Sequence, residues 1–369
     1  MKVPQMRPFV GEEEYAAIKE CFDTNWLTEG PKSKEFVRRL CDLVGTKYGV
    51  LAPNCTLGLF LGLKAMGIGP GDEVIVPNFT FVASATSVIL AGAVPIFADV
   101  NKEDLQINLA DSRRILTDKT KAIMPVHMYG ASCNMTEIIK FAEEYDLLVI
   151  EDAAQAIGVN WKNKACGSFG DTGCFSFFAD KSITTIEGGF VATNDKKIYE
   201  NLLYLRNHGR VSSGTFIHPK LGFNLRMSDI ASTMGLAQLD KAEYIFKRRL
   251  ELHKIYCKEL EAVSEIEIFT HPEGSNFVPF RFSILYNGSR DALSDHLIKS
   301  GVEPRTFFYP LHRQPVFQFM ANTQDLSDKY FSNSIHAFEH GLCFPVYPGL
   351  TEEQVIYTCD KIKEFLNDI

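Results

Sequence analysis

Four short stretches carry side chains able to act on a carbonyl or to hold a flat, phosphorylated ligand. In GCFSFFADKSITTIEGGFVAT, Lys181 stands between a nearly apolar run and a Thr-rich turn that ends in Gly188 and Gly189. A lysine amine kept among apolar groups loses its proton more easily and becomes a nucleophile toward carbonyl carbon. Taken singly, such a lysine reads more readily as a surface residue, but paired glycines signal an unusual backbone or a close approach, which weakens that reading. In LLVIEDAAQAIG an apolar run ends in Glu151 and Asp152, with Gln155 about one helical turn further on. In PNCTLGLFLGLKAMG a run ending near Ala52 turns at Pro53 and Asn54 into a helix, where free backbone N–H groups, the positive end of the helix dipole and the Thr56 hydroxyl suit a phosphate. In VPNFTFVASAT, Phe79 and Phe81 follow a run directly and offer a ring for stacking. Helix caps and core packing explain the last three equally well when each is taken alone. Together, in one order along one chain, they are what pyridoxal phosphate requires: a lysine for the Schiff base, a carboxylate for the ring nitrogen, an aromatic plate and an anion cradle.

Those residues need a scaffold that brings strand ends together. Short apolar runs rich in Val, Ile and Phe occur at 48–52, 73–76, 95–98, 122–126, 147–151, 173–177 and 189–193. Continuous apolar runs of this kind suit strands covered on both faces, and helical stretches between most of them predict an α/β fold with a mostly parallel, doubly wound, seven-stranded sheet. Ligands in such sheets bind beyond the carboxyl ends of the strands, where all four stretches fall. Helices are expected over 57–66, 80–91, 135–144 and 196–207, and one or two long ones over 228–261. From about 265 onward, strand-like FVPFRFSILY precedes helical DALSDHLIK and EEQVIYTCDKIKEFL, a smaller α+β domain. The expected organisation is an N-terminal arm over 1–30, a large ligand-binding domain over 31–240 and a small C-terminal α+β domain with its linking helix over 241–369.

The 369 residues are 46% hydrophobic and 23% charged, ordinary globular values, and the net charge of −8 with no basic run gives no footprint for nucleic acid or an anionic membrane. Nine cysteines lie scattered with no C-x-x-C pair, and the first fifteen residues lack a signal-peptide core, so reduced thiols and a cytoplasmic location are expected. No charge occurs between Glu73 and Asp99, a length that would suit a membrane span. Pro77, Pro95, Gly92 and several Ser and Thr residues interrupt it, so strand, helix and strand is the better parse. Neither a P-loop nor a G-x-G-x-x-G turn follows any strand.

The stretches GIGPGDEVIVPNFTFVASATSVILAGAVPIFADV, IEDAAQAIG, CFSFFADKSITTIEGG and GFNLRMSDIASTMGLAQL resemble the sugar aminotransferases of the DegT/DnrJ/EryC1/StrS group, pyridoxal phosphate enzymes of fold type I. The likeness runs from NWLTEGP to the final helix. It implies that Lys181 holds the cofactor covalently and that Asp152 partners the ring nitrogen. It further implies that Gln155 contacts the phenolic oxygen, that Phe81 stacks on the ring, and that Cys55, Thr56 and Ser176 hold the phosphate. Asn224 matches a residue that members lend across a homodimer interface to the neighbouring subunit's phosphate, so the resemblance implies a homodimer with shared sites.

The implied reaction is transfer of an amino group from L-glutamate to a nucleotide-linked keto-deoxy sugar. CFSFFADKSITTIEGG and FFYPLHRQPVF look most like those members that convert GDP-4-keto-6-deoxymannose to GDP-perosamine for surface polysaccharide such as O-antigen. UDP- or dTDP-linked 4-keto or 3-keto hexoses and an aldehyde-bearing sugar acid stay open as acceptors. So do sugar dehydration, which in some relatives goes with His in place of the lysine, and a noncatalytic sensor role. Thr28, Glu187 and His312 are the residues expected near sugar or nucleotide. Two positions depart from the pattern: Cys55 and Ile186 stand where many members have Gly.

Overall fold

The computed structural model describes residues 1–210 and 216–367; the few remaining positions of the two expected domains lie outside it. Helices α1 (Glu12–Asp23) and α2 (Pro31–Val44) precede strand β1 (Tyr48–Ala52). There follow α3 (Cys55–Ala65), β2 (Glu73–Pro77), α4 (Ala83–Leu90), β3 (Val94–Ala98), α5 (Leu109–Arg114), β4 (Thr120–Ile123), α6 (Met135–Glu144) and β5 (Leu148–Asp152). A hairpin of β6 (Asn160–Trp161) and β7 (Lys164–Ala165) leads to β8 (Thr172–Ser176), β9 (Gly189–Thr193) and α7 (Lys196–Arg206). Strands β1–β5, β8 and β9 form one sheet in the order β1-β9-β8-β5-β4-β2-β3. All pairings among β3, β2, β4, β5 and β8 are parallel, whereas β9 runs antiparallel to both β8 and β1.

Burial on both faces follows from the alternation of side chains along each strand. Val50 and Ala52 pack with Leu59 and Leu63 on one side, while Leu51 points to the other with Phe36 and Phe190. In the same way Ile150 joins the first face and Val149 the opposite one, beside Ile123 and Phe141. The charge-free stretch after Glu73 becomes β2, α4 and β3, so its apolar residues cover the sheet. Among the described residues no helix is long and apolar enough to cross a membrane.

Helix α8 (Asp229–Asp240) is capped by Ser228, whose hydroxyl accepts from Ala231 N–H, and α9 (Ala242–Leu260) follows after Lys241. Strands β10 (Ile266–Ile268), β11 (Phe282–Tyr286), β12 (Arg305–Thr306) and β13 (Gly341–Phe344) form a second, antiparallel sheet ordered β10-β11-β13-β12. It packs with α9, α10 (Arg290–Lys299) and α12 (Glu352–Asn367), and α11 (Ser332–His340) precedes β13. The chain start is tied down twice. Val3 is buried in the core of this second sheet and bridges Val302, and α1 lies on α8, where Glu14 pairs with Lys241 at 2.6 Å and accepts from Gln238 at 2.7 Å.

Candidate active site

Beyond the carboxyl ends of β5 and β8 lies a cavity of about 450 Å³, closed on one side by residues of the second sheet and its loops. Eight of the residues singled out from sequence line it: Cys55, Thr56, Phe81, Asp152, Gln155, Ser176, Lys181 and Glu187. They come from five separate strand ends, which is why no contiguous motif carries the site.

The cradle is built at the turn from β1 into α3. Asn54 caps the helix, its Oδ1 accepting from Leu57 N–H at 2.9 Å. The amides of Cys55 and Thr56 have no acceptor among the described residues, and both residues face the cavity with the Ser176 hydroxyl nearby. Gly189 makes this turn possible, because a Cβ there would stand 2.6 Å from the Asn54 carbonyl carbon and oxygen and 2.9 Å from Cys55 N. Cys55 itself is buried and its thiol is pushed well up by that burial, so its backbone is what it offers to an anion.

Adjacent carboxylates Glu151 and Asp152 part company, as neighbours on a strand must. Glu151 is fully buried behind the sheet, where it accepts from the N–H groups of Gly167, Phe169 and Gly170 at 2.7–2.8 Å and meets His127 Nε2 at 3.0 Å. Asp152 faces the cavity. Its Oδ2 accepts from Ser84 Oγ at 2.7 Å, its Oδ1 from Ala154 N–H at 3.1 Å, and Ser84 is joined in turn to Thr80 Oγ1 at 3.0 Å. Burial pushes the Asp152 carboxyl above its ordinary range while those two hydrogen bonds oppose the shift, leaving a carboxylate in want of a cationic partner. Gln155 is oriented by Tyr129, whose N–H donates to its Oε1 at 2.9 Å, so the amide NH₂ remains as a donor toward the cavity.

Lys181 lies among apolar neighbours. Its side chain is 15% exposed, and Nζ is 4.4 Å from the centre of the Phe280 ring and 3.2 Å from Asp180 Oδ1. Burial lowers the amine's pKa, and Asp180 draws it part of the way back. Phe81, half-exposed at the rim, packs on Phe308, and Phe79 is buried beneath. These residues fit pyridoxal phosphate: free amides and hydroxyls for the phosphate, an unpaired carboxylate, an amide donor and a lysine in one cavity of suitable chemistry.

Thr28 and Asn224 are elsewhere. They line a second, open hollow of about 720 Å³ with Lys34 and Arg226, where Asn224 Oδ1 accepts from Arg226 Nε at 3.0 Å. His312 lies apart from both groups. It lines neither hollow and is 1% exposed, stacked on Phe331 at 4.2 Å, with Nδ1 2.9 Å from Asn78 Nδ2 and Nε2 3.1 Å from Asp328 Oδ1. Both ring nitrogens are thus engaged, Nδ1 by Asn78 just after β2 and Nε2 by Asp328 of the following segment. Ile186 has φ +71°, a region that β-branched residues rarely enter, and its side chain is exposed beside Glu187. The sequence reading missed Arg281, Arg305, Phe280 and Phe308, which the second sheet and its loops contribute to the cavity. The one available signal was Arg281 itself, a charge inside the otherwise apolar FVPFRFSILY.

The model of the DegT/DnrJ/EryC1/StrS aminotransferase family matches residues 8–363. The chain belongs to this family. The aminotransferase is 36% identical to a GDP-perosamine synthase of Escherichia coli O157:H7, over 99% of both chains. It is also 34% identical to a UDP-N-acetyl-3-dehydro-alpha-D-glucosamine 3-aminotransferase of Acidithiobacillus ferrooxidans, over 96% of this chain and 94% of that one. Among solved structures, Spr1654 of Streptococcus pneumoniae in its PLP-form superposes with a TM-score of 0.94 at 25% identity, covering 100% of this chain and 99% of that one. The protein is a sugar aminotransferase that depends on pyridoxal phosphate.

Proposed function

We propose that this aminotransferase carries the amino group of L-glutamate to a nucleotide-linked keto-deoxy sugar, and that the acceptor is GDP-4-keto-6-deoxymannose, giving GDP-perosamine. The observation that carries the reaction type is the meeting of Lys181, Asp152 and the Cys55–Thr56 amides in one cavity. Support for the acceptor is the end-to-end likeness to a protein named GDP-perosamine synthase.

Pyridoxal phosphate, when bound, supplies an aldehyde carbon and an aromatic ring that takes up the electron pair left when a proton departs the amine-bearing carbon. The chain's own residues do the rest. Asp152, oriented by Ser84 and Ala154, would hold the proton on the ring nitrogen. Lys181, whose amine burial makes easier to deprotonate, would hold the cofactor through Nζ and, when that amine is free, would carry the proton that leaves the amine-bearing carbon. Gln155 would donate its amide N–H to the phenolic oxygen, Thr56, Ser176 and the two amides would hold the phosphate, and Phe81 would cover the ring. Glu187 and Thr28 are assigned to the sugar and nucleotide side.

Residues 31–240 form the cofactor-binding domain in this reading, and 241–369 supply the facing wall. A homodimer would bring the open hollow of one protomer, with Asn224 and Thr28, against its partner's cavity; exposed Trp26, Phe216 and Leu221 nearby suit a covered surface. Free thiols at all nine cysteines suit a reducing compartment such as the cytoplasm. Incubation with L-glutamate and a panel of GDP-, UDP- and dTDP-linked keto sugars, read by mass spectrometry of the amino sugar, tests the substrate pair. GDP-4-keto-6-deoxymannose should be aminated fastest. Preference for a UDP-linked 3-keto sugar would overturn the acceptor and favour the second reading, which the 34% identity to a 3-aminotransferase keeps in view.

A further inference from the structure

Asp180 is the residue before Lys181, and it is buried and spoken for by the opposite side of the cavity. Its Oδ2 accepts from Arg281 Nη2 at 2.9 Å, across the seam between the two sheets, with side chains only 11% and 8% exposed. Its Oδ1 has no aligned hydrogen-bond donor and lies 3.2 Å from Lys181 Nζ. The segment that brings Arg281 to this place is fixed from behind. Buried Arg249 of α9 donates to the carbonyls of Pro279 and Phe280, Phe280 N–H donates to Tyr129 O, and the Gln5 amide, turned with its oxygen toward Arg281, accepts from Nη1 at 2.8 Å. Phe280 then lies against the Lys181 amine at 4.4 Å, with the Arg281 guanidinium 4.8 Å from the centre of the same ring.

Resting on the assignment of Lys181 as the cofactor lysine, we propose that Asp180 is a positioning residue that steadies the protonated amine of Lys181, and that Arg281 weakens Asp180's hold so that the amine still gives up its proton. A carboxylate at this distance favours the ammonium form, and a guanidinium sharing that carboxylate disfavours it. The two charges therefore act on Nζ with opposite signs. The proton handled is the one on Nζ: Asp180 keeps it there between transfers, and the reacting carbon receives it when Nζ returns to the neutral amine. The cycle needs no other acid. The other charged or titratable groups of this cavity are Asp152 from β5 and Cys55 from α3, both felt by the amine, and Glu187 ahead of β9 and Arg305 from β12 along its wall. They are the same in every variant below and drop out of the comparison.

The test follows the rate at which the apoenzyme captures pyridoxal phosphate covalently, by stopped-flow absorbance across a pH series, since only the neutral amine attacks the aldehyde. In Asp180→Asn the inflection should move to lower pH, with capture several-fold faster than wild type on the acid limb. In Arg281→Met it should move to higher pH, with capture several-fold slower there, and Arg281→Lys should return it toward wild type. Thermal melting of each variant confirms that folded protein is compared. Inflections that coincide in all four proteins, or that move the same way in Asp180→Asn and Arg281→Met, would overturn the role of Asp180 while leaving Lys181 in place. Capture as fast in Lys181→Ala as in wild type would instead overturn the assignment on which this rests.

Discussion

Adding one methyl group at Gly189 should loosen the cofactor by pressing on the turn whose amides hold the phosphate. The added Cβ would meet the Asn54 carbonyl at 2.6 Å, whereas ordinary contact begins at 3.4 Å, so backbone must yield by about 0.8 Å. Gly189 is paired with Ala52 at the end of β1, and the sheet resists on that side. The displacement falls on the Asn54–Cys55 turn, whose free amides are aimed at the phosphate. Misaligning one charge-assisted hydrogen bond costs about 1.5–3 kcal/mol, roughly a 10- to 150-fold rise in Kd. Equilibrium dialysis of pyridoxal phosphate against Gly189→Ala measures it directly. Gly349→Ala is the control, since its methyl meets nothing nearer than 3.9 Å. A Gly189→Ala protein that is fully folded and binds the cofactor as tightly as wild type would refute the cradle.

Three further substitutions test other parts of the account. Asp152→Asn keeps the shape but removes the charge facing the ring nitrogen, so kcat in the glutamate half-reaction should fall on the order of 10²–10³-fold with the fold intact; a fall of less than threefold would dismiss its role. His253, wedged between Phe277 and Phe282, has its pKa lowered by burial from 6.5 to about 4. The unfolded chain therefore binds the extra proton, stability is fully present above pH 6.5 and is lost as pH falls toward 4, by on the order of 2 kcal/mol after allowing for partial exposure. His253→Gln should flatten that part of a urea-denaturation profile, and an unchanged slope would reject the linkage. Ile186→Gly relieves a left-handed β-branched residue worth about 1–2 kcal/mol, set against about 1 kcal/mol of added unfolded-state freedom. Melting temperature should hold or rise, and a drop of several degrees would contradict the strain.

The seven strands of the main sheet were legible because strands covered on both faces need unbroken apolar runs, and Tyr48–Ala52 and Gly189–Thr193 begin and end where those runs do. Direction was not legible: nothing in GFVAT says that β9 runs against its neighbours. The run at 122–126 was placed too late, since β4 ends at Ile123 and Met124 to Val126 continue as single bonds and a bridge to β2 and β5. The carboxylate of Asp152 and the amine of Lys181 were legible through their place at strand ends. The half of the cavity wall built by Phe280, Arg281 and Arg305 was not, because it is about a hundred residues away in sequence and is set by how the second sheet packs on the first. The partners of His312 were not legible either, because Asn78 is more than two hundred residues away in sequence and only the fold brings it and Asp328 to the two ring nitrogens.

The central claim is that Lys181 is the residue to which pyridoxal phosphate attaches, and borohydride reduction of the holoenzyme followed by peptide mass spectrometry tests it most directly. A pyridoxyl mass on the peptide that contains Lys181, and loss of that mass when L-glutamate is added before reduction, is the expected result. Label on a different lysine, or none at all, would contradict it.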